Sequence, residues 1–598
     1  MIFFQCGIIV PTGITLLWLN DACAANQNPL FKNISASNTI NKVAQLEPSP
    51  SPTTNPESEV VPNEEVPSEN NQPDTTPSTP EPVETSQPEQ SLLVKKIEVK
   101  CGLEDKANCK VFRPDSEEIK SITQSVEGKT VTVSELQGVA DKITQLYLNR
   151  GYITSRAVLV DQTIASGVVV FRIFEGGVEE IQVEGTKKVS PKYIINRIKL
   201  AQLNPLNKDQ LEDQLRLLRA DPLFKNVEAS LRPGKTFGQS ILIVRVTEAN
   251  SFKASFGIDN YSPPSVGSEQ FGVGLAYRNL IVSGDQIATS YKRSTTGGAN
   301  LYDLSYRIPL NPMDGTLQIR AAINDYKITD PEFANLDIRG DSNLYEITYR
   351  QPLIRSPREE FALSLGFTFQ DGQTFIFNNL PIPFGIGPDA DGVSRTSVFK
   401  FGQDYLKRDP KGAWSLRSQF NIGIGLFDAT INDHPTPDSR FLSWLGQVQR
   451  VQQLNNDNLL IAALDLQLTP DSLLPSQQFV IGGGQSVRGF RQNARYGDNG
   501  VRFSLEDRIT LERNEAGAST MQLAPFVDLG VVWNHPDNPN NDDLPSQRFL
   551  AGAGLGFLWE PIPHLNLRLD YAVPFVDLRD RGENAQDHGF YFSVYYTP

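Results

Sequence analysis

The chain is poor in the residues that build metal centres and disulfide frameworks. It has only four cysteines and four histidines among 598 residues. The histidines are scattered along the sequence, at positions 434, 535, 564 and 588. The sequence therefore predicts neither a metal site nor a bound cofactor.

Two of the cysteines lie close to each other in the chain. Cys101 and Cys109 are eight positions apart, which is not the C-x-x-C spacing of a zinc site. We predict that they close a small disulfide loop; two free thiols are the alternative.

Long apolar runs and an excess of basic charge are also missing. Only 39% of the residues are hydrophobic, which excludes a bundle of membrane helices of about 20 apolar residues each. A transmembrane β-barrel is not excluded, because its strands need only alternate. Acidic residues outnumber basic ones by 70 to 55, so nucleic acid is not expected as a partner.

Sequence motifs of common enzymes are absent as well. The chain has no G-x-S-x-G, G-x-x-x-x-G-K-[ST] or H-E-x-x-H motif. The sequence therefore does not indicate an enzyme.

The first 92 residues contain targeting and linker signals. Residues 1–24 combine a short apolar run with the small-residue sequence Ala22-Cys23-Ala24, which is typical of a secretory signal peptide although no basic residue precedes the run. In the segment 25–92, a tract rich in proline, glutamate, serine and threonine begins near residue 46. Such a composition predicts a disordered linker.

Residues 93–175 and 176–249 show one β-α-α-β-β pattern twice. In the first copy, strands are predicted over 93–99, 152–159 and 168–174, and a helix opens with the capping box Thr132-x-x-Glu135. In the second copy, strands are predicted over 178–183, 227–231 and 240–246. The two copies therefore predict a pair of small α+β modules.

Residues 250–598 alternate between apolar and polar side chains in about sixteen segments. Short and long links between the segments mostly take turns, and the longest link covers 470–498. An even number of such strands with turns at one rim and loops at the other is typical of bacterial outer-membrane barrels. The sequence therefore predicts a membrane β-barrel of about 16 antiparallel strands; a soluble β-sandwich is the alternative.

The link 470–498 is predicted to fold inward as a loop. It contains the compact sequence Val487, Arg488, Gly489, Phe490. Alternation in the strand near 521–534 turns Phe526, Asp528 and Gly530 toward the lumen. We predict that Arg488 pairs with Asp528, with Glu506 as a second candidate partner. A solvated loop beside an unrelated lumen charge is the alternative.

These features together resemble the outer-membrane transporters of two-partner secretion (TpsB, the haemolysin secretion/activation family). The resemblance rests on VRGF at 487–490, FVDLG at 526–530, the two N-terminal modules, which are similar to POTRA domains, and the sixteen-strand region. It implies a bacterial outer-membrane location, with the POTRA domains in the periplasm. It further implies a monomer in outer-membrane lipid and a secreted exoprotein as the partner.

The resemblance also implies where the exoprotein binds. In a POTRA fold the middle of the three strands lies at the sheet edge, where it can pair with an extended chain. The corresponding edge residues are Tyr152, Ile153, Ala157 and Leu159 in the first module and Val227 and Leu231 in the second. Residues 25–45 match the place of the family's plug helix. An outer-membrane protein insertase and a passive porin are the alternatives.

Overall fold

The structure is a computed structural model. It describes residues 91–103, 108–160, 162, 167–331, 333–377, 379–542 and 545–598. The predicted signal peptide, and the plug segment and linker up to residue 90, lie outside the described residues.

The first module is a three-stranded sheet covered by two helices. Its elements are β1 Ser91–Leu93, β2 Lys96–Cys101, α1 Glu117–Thr123, β3 Thr130–Thr132, α2 Val133–Asn149, β4 Arg156–Leu159 and β5 Val168–Phe174. The main sheet has the order β2-β5-β4. The capping box predicted for α2 is present, with the Glu135 N–H donating to Thr132 Oγ1. Isoleucine and leucine side chains of α2 pack on this sheet and are fully buried.

Two strand predictions for this module are wrong in their bounds. The strand expected over 93–99 is two strands, because Val94 is buried and its N–H donates to the Lys129 carbonyl, so β1 leaves the sheet to pair with β3. The strand expected over 152–159 begins only at Arg156. The Tyr152 N–H donates to the Tyr147 carbonyl and continues the turn that ends α2.

The second module repeats the pattern with a longer edge strand. Its elements are β6 Gly177–Glu184, α3 Pro191–Ile198, α4 Lys208–Ala220, β7 Phe224–Pro233 and β8 Gln239–Glu248. The sheet order is β6-β8-β7. Leucines spaced along α4 are buried against the sheet, as the helical period predicts.

Hydrogen bonds and an ion pair join the modules to each other and to the barrel. The Lys208 N–H donates to the Gly151 carbonyl across the module boundary. On the other side of the second module, the Ser190 N–H donates to Ser283 Oγ at 2.8 Å. Arg197 pairs with Asp314 in the turn between two barrel strands. The second module therefore contacts the rim where the barrel strands are joined by short turns.

The remaining strands form a closed antiparallel barrel of sixteen members. They are β9 Phe252–Asp259, β10 Gln270–Arg278, β11 Gln286–Ser294, β12 Ala299–Pro309, β13 Thr316–Lys327, β14 Arg339–Arg355, β15 Glu359–Ile376, β17 Val393–Asp409, β18 Gly412–Ile424, β19 Leu442–Gln453, β20 Asn458–Leu468, β23 Asn499–Arg513, β24 Ser519–Trp533, β25 Phe549–Trp559, β26 Leu565–Pro574 and β27 Phe590–Tyr596. The short β16 (Leu380–Pro381) adds to β15, and β21 (Phe479–Ile481) pairs with β22 (Arg495–Gly497) inside a loop. Pairing of β27 with β9 closes the cylinder.

The alternation predicted for the barrel strands matches the observed faces. In β26, Leu569, Tyr571 and Val573 are exposed on the outside, whereas Asp570 is buried toward the lumen. The outer face is therefore apolar and the lumen polar, as a barrel in a bilayer requires. Among the described residues, no helix is both long and apolar enough to cross a membrane.

Candidate functional site

The link between β20 and β23 folds into the barrel. Its two short strands, β21 and β22, form a hairpin in which Phe479 pairs with Gly497. Apolar side chains of the loop pack against Val532 of β24 and Leu550 of β25. The loop members of this buried cluster are Phe479, Ile481, Val487, Phe490 and Ala494. A loop in bulk solvent would not bury such a set, so we call residues 479–497 the inward loop.

Arg488 fixes the inward loop to the barrel wall. Its Nε donates to Asp528 Oδ2 at 2.6 Å, and its Nη2 donates to Asp528 Oδ1 at 3.0 Å. Its Nη1 donates to Glu506 Oε2 at 2.8 Å. Asp528 and Glu506, which the sequence offered as alternatives, are thus both partners. All three side chains are buried, where charge-assisted bidentate hydrogen bonds are strongest.

The wall beneath Arg488 is shaped to receive it. The guanidinium lies 3.2 Å from the centroid of the Phe526 ring, a distance at which cation–π attraction is strong. At Gly530 a Cβ atom would approach a methyl group of Val487 to 2.9 Å, and at Gly552 it would lie 2.2 Å from the Arg488 carbonyl oxygen. The backbones of the loop and the wall can approach this closely because these positions have no side chain.

Two features of position 489 require a glycine. Its φ of +101° lies where L side chains are rare, and an added Cβ would approach the backbone nitrogen of Pro574 to 3.1 Å. Its N–H donates to the hydroxyl of Tyr591, which itself donates to the Phe490 carbonyl. The last strand of the barrel therefore also holds the turn of the inward loop.

The network around Arg488 is wider than the sequence prediction. Glu506 also accepts hydrogen bonds from Arg568 at 2.6 Å and from Arg508 at 2.8 Å. Arg568 in turn donates to Asp570 at 2.8 Å. Alternation along β26 does turn Arg568 and Asp570 toward the lumen, but it does not reveal that they reach Glu506. The carboxylates and guanidiniums together form one buried ion network across β23, β24 and β26, which we call the arginine anchor.

Two further arginines tie the inward loop to the link after β26. Arg491 donates to both oxygens of Asp587, and Arg495 donates to both oxygens of Asp580. Burial opposes ionisation of Asp580, but the hydrogen bonds from Arg495 outweigh it and lower the pKa of Asp580. The loop is therefore held both at the wall and at the extracellular rim.

The periplasmic edge of the second module is long and exposed. β7 has β8 as its sheet neighbour on one side. The Val227 carbonyl accepts a hydrogen bond from the Arg219 side chain and so points away from β8. The backbone groups of successive residues in an antiparallel strand point to alternate sides. Those of Ala229 and Leu231, two and four positions after Val227, therefore point outward too. Val227 and Leu231 therefore lie on an edge strand, where the sequence places them.

The edge of the first module differs from the expectation. Of the four predicted edge residues, Ala157 and Leu159 lie in β4, whereas Tyr152 and Ile153 lie in the turn before it. The Ala157 side chain is buried, and its N–H donates to Thr144 Oγ1 of α2 at 2.9 Å. Helix α2 therefore already uses an outward donor of this edge.

The cysteine pair lies in the first module. Cys101 and Cys109 form a disulfide that joins the end of β2 to the segment that follows it. In that segment the N–H groups of Lys110 and Val111 donate to the Glu175 carboxylate. Tyr147 donates to the same carboxylate, and burial together with this negative charge raises the pKa of Tyr147.

Comparisons with known proteins agree with this architecture. The family model "Haemolysin secretion/activation protein ShlB/FhaC/HecB" matches residues 238–558, more than half of the chain. The model "POTRA domain, ShlB-type" matches residues 108–176.

Relatives and solved structures cover most of the chain. The haem/hemopexin transporter protein HuxB of Haemophilus influenzae (strain 86-028NP) is 22% identical over 81% of this chain and 84% of its own length. The outer membrane transporter CdiB of Escherichia coli is 25% identical over 71% of each chain. The structure of CdiB from Escherichia coli matches with a TM-score of 0.65 at 21% identity, covering 87% of this chain and 93% of that one. This chain belongs to the ShlB/FhaC/HecB family of haemolysin secretion/activation proteins, outer-membrane transporters with periplasmic POTRA domains.

Proposed function

We propose that this protein captures an unfolded exoprotein in the periplasm and conducts it through the barrel to the cell surface. The observation that carries the proposal is the inward loop, which occupies the lumen and is fastened by a buried arginine network. A passive porin has no need for a loop anchored in this way together with two periplasmic modules. The names of the relatives, which are transporters, support the same class of activity.

Capture would use main-chain hydrogen bonds at a sheet edge. β7 is ten residues long, carries outward-facing groups at Ala229 and Leu231, and lies in the module that contacts the barrel. An exposed edge pairs with an extended chain largely independently of that chain's sequence. The second module is therefore the better candidate for capture, because helix α2 occupies part of the edge in the first.

Conduction would require the inward loop to move. Arg488, Asp528 and Glu506 pair within the lumen side of the wall, so the loop can leave only if these pairs break or if their strands shift together. A buried ion pair of this kind stabilises the docked position of the loop. It disfavours partly withdrawn positions, because each separated charge would then lack a partner. The arginine anchor would thus keep the loop in a defined resting position.

A single chain would suffice for transport. β27 and β9 close the barrel within one chain, and no second copy is needed to complete the wall. We therefore propose that the transporter acts as a monomer in the outer membrane, with the secreted exoprotein as its partner, and that no catalytic group takes part.

Secretion of the cognate exoprotein tests this function directly. A strain lacking the chain should retain the exoprotein in the periplasm, and the restored chain should release it into the medium. Assembly of other outer-membrane proteins should be unchanged in the same strain. A general defect in barrel assembly with normal exoprotein release would instead show that the protein is an insertase.

A further inference from the structure

The turn between β10 and β11 is apolar although it lies at the periplasmic rim. Leu280, Ile281 and Val282 are all exposed, and Ile281 is 74% exposed. The turn between β17 and β18 has instead the polar sequence DPKG at 409–412. Adjacent exposed apolar side chains mark contact with another molecule or with a membrane.

One buried carboxylate satisfies the backbone of this apolar turn. Asp285 is fully buried. Its carboxylate accepts hydrogen bonds from the N–H groups of the three apolar residues, at 2.7, 2.8 and 2.9 Å. A segment whose N–H groups are already paired can enter the boundary region of a bilayer without leaving those donors unsatisfied. The turn therefore presents apolar side chains on a backbone that does not need water.

The turn lies at the outer side of the barrel. The hydroxyl of Tyr306 in β12 donates to Asp285 at 2.6 Å. Tyr302 and Leu304 of the same strand are exposed on the outer face, and Tyr306 has the same parity as these two residues. Asp285 and the turn around it therefore lie on the side of the rim that faces lipid.

The outer face of the barrel continues into this turn. Phe252 of β9 pairs with Tyr277 of β10. Phe252 is exposed, and both residues have the outward parity of their strands. Aromatic side chains at the end of a transmembrane strand are typical of the boundary between lipid tails and headgroups. The turn therefore begins at the level of the headgroups.

Basic residues of the second module meet the barrel at this boundary. Lys188 donates from Nζ to the hydroxyl of Tyr277 at 3.0 Å, and Nζ lies 5.3 Å from the centroid of that ring. Lys187 is exposed beside it. An ammonium group has three donors, so Lys188 can bind a further acceptor. The surrounding stretch 185–208 has six basic residues and no acidic one; they are Lys187, Lys188, Lys192, Arg197, Lys199 and Lys208.

The carboxylate next to these lysines is already in use. Glu248 accepts hydrogen bonds from the backbone N–H groups of residues 187–189. It also attracts the charge of Lys187. Two ammonium groups against one carboxylate leave a net positive charge at the headgroup level. This charge favours an anionic partner at the surface.

We infer that the apolar turn and Lys187 and Lys188 together form a docking surface for anionic phospholipids of the periplasmic leaflet. The side chains of residues 280–282 enter the boundary between headgroups and acyl chains, and the two ammonium groups bind lipid phosphates. Apolar burial combined with attraction of lysines to anionic lipid is the usual basis of binding to a membrane surface. The contact would hold the second module against the membrane, whatever exoprotein the chain transports.

The first test measures whether the turn contacts lipid. A nitroxide is attached to an Ile281→Cys variant of the full-length chain, reconstituted in vesicles of phosphatidylethanolamine with a minority of phosphatidylglycerol. Oxygen dissolves in the bilayer whereas a water-soluble nickel chelate does not, so oxygen should relax the label more strongly than the chelate. The matched control, Lys411→Cys in the polar turn, should show the reverse. The same aqueous exposure at both positions would overturn the inference.

The second test measures the charge preference of the surface. The full-length protein is equilibrated in detergent with equal amounts of phosphatidylglycerol and phosphatidylcholine, and native mass spectrometry counts the retained lipids. We expect phosphatidylglycerol to be retained preferentially. The Lys187→Gln/Lys188→Gln variant should lose at least about fivefold of this preference, the factor for one lysine that contributes about 1 kcal/mol near an anionic surface. Equal retention of both lipids by the unaltered chain would refute an anionic site.

A matched double variant locates the effect. Lys142→Gln/Lys208→Gln removes the same charge at exposed positions in the first module and at the boundary between the modules. It should retain phosphatidylglycerol normally. An equal loss in both double variants would show a general attraction to positive charge and would contradict a docking surface. Heat-dependent migration on gels checks that each variant is a folded barrel.

The acidic tract that begins near residue 46 is the other candidate occupant of the two lysines. Residues 46–90 contain no lysine or arginine and many glutamates. Deletion of this tract should leave the retention of phosphatidylglycerol unchanged. Retention that appears only after the deletion would identify the tract, and not lipid, as the occupant in the full-length chain.

Discussion

The lumen and the periplasmic sheet edges place their polar groups in opposite environments. In the lumen, Arg488, Asp528 and Glu506 are buried and satisfied by one another. Along β7, the outward backbone groups of Ala229 and Leu231 lie at an exposed edge. The interactions in the lumen therefore depend on which side chains are present. Those at the edge of β7 depend on the backbone, so most side chains there can vary. Substitutions should show this contrast clearly.

The largest effect is expected for Arg488→Ala. Removing the guanidinium leaves Asp528 and Glu506 in the lumen with fewer partners, and loss of one member of a buried ion pair typically costs about 3–5 kcal/mol. We expect exoprotein release to be lost while the barrel remains inserted, measured by exoprotein in the medium and by heat-dependent gel migration. Arg488→Lys keeps the charge but loses the bidentate geometry, so it should restore release only in part. Normal release by Arg488→Ala would show that the anchor has no role in transport.

Gly489→Ala should have the next largest effect. The new methyl group would sit on a backbone with φ of +101°, 3.1 Å from the Pro574 nitrogen, and strain of this kind costs about 1–3 kcal/mol. We expect the inward loop to become more accessible to protease added outside the cells. Gly517→Ala, at a glycine with positive φ and no neighbouring atom near the added Cβ, is the matched control for backbone strain without a clash. Equal protease sensitivity of the two variants would argue against a close fit at Gly489.

A smaller effect is expected at the edge of the second module. Ala229→Pro removes one outward N–H without removing a ladder hydrogen bond to β8. Binding of the unfolded exoprotein should weaken by about fivefold, the equivalent of one hydrogen bond of about 1 kcal/mol. Ala229→Val retains the N–H and should bind normally in the same pull-down. Unchanged binding by the proline variant would exclude strand addition at this position.

The smallest change in exoprotein binding is expected at the edge of the first module. Ala157→Pro removes the N–H that donates to Thr144, so the variant should lose about 1 kcal/mol of module stability with little change in binding. Limited proteolysis of the full chain measures the first quantity and the pull-down measures the second. A loss of binding as large as that of Ala229→Pro would remove the distinction between the two edges.

The sequence predicted those features that depend on interactions between residues close to each other in the chain. Alternation along β24 and β26 predicts their faces, because a side chain's direction in a strand depends only on its position. The Arg488–Asp528 pair follows from the same alternation and from the short spacing between the loop and β24. The capping box of α2 needs only Thr132 and Glu135.

What the sequence did not predict depends on contacts between distant segments. The hydrogen bond from Arg568 to Glu506 joins residues 62 positions apart and requires the register of every strand between them. The edge at Ala157 is covered because Thr144 lies on the face of α2 that meets β4, which a helical pattern alone does not show. The late start of β4 follows from a turn held by the Tyr147 carbonyl, which also cannot be read from alternation.

The junction between the two modules restricts how they can move relative to each other. At Gly176 a Cβ atom would lie 2.1 Å from the Thr154 carbonyl oxygen and 2.7 Å from that of Gly238, so both modules press on one point of the chain. This crowding, together with the hydrogen bonds across the boundary, limits bending at the junction between the modules. We therefore expect the two modules to move as one stiff arm, so that the exposed edge of β7 would keep a constant orientation relative to the first module.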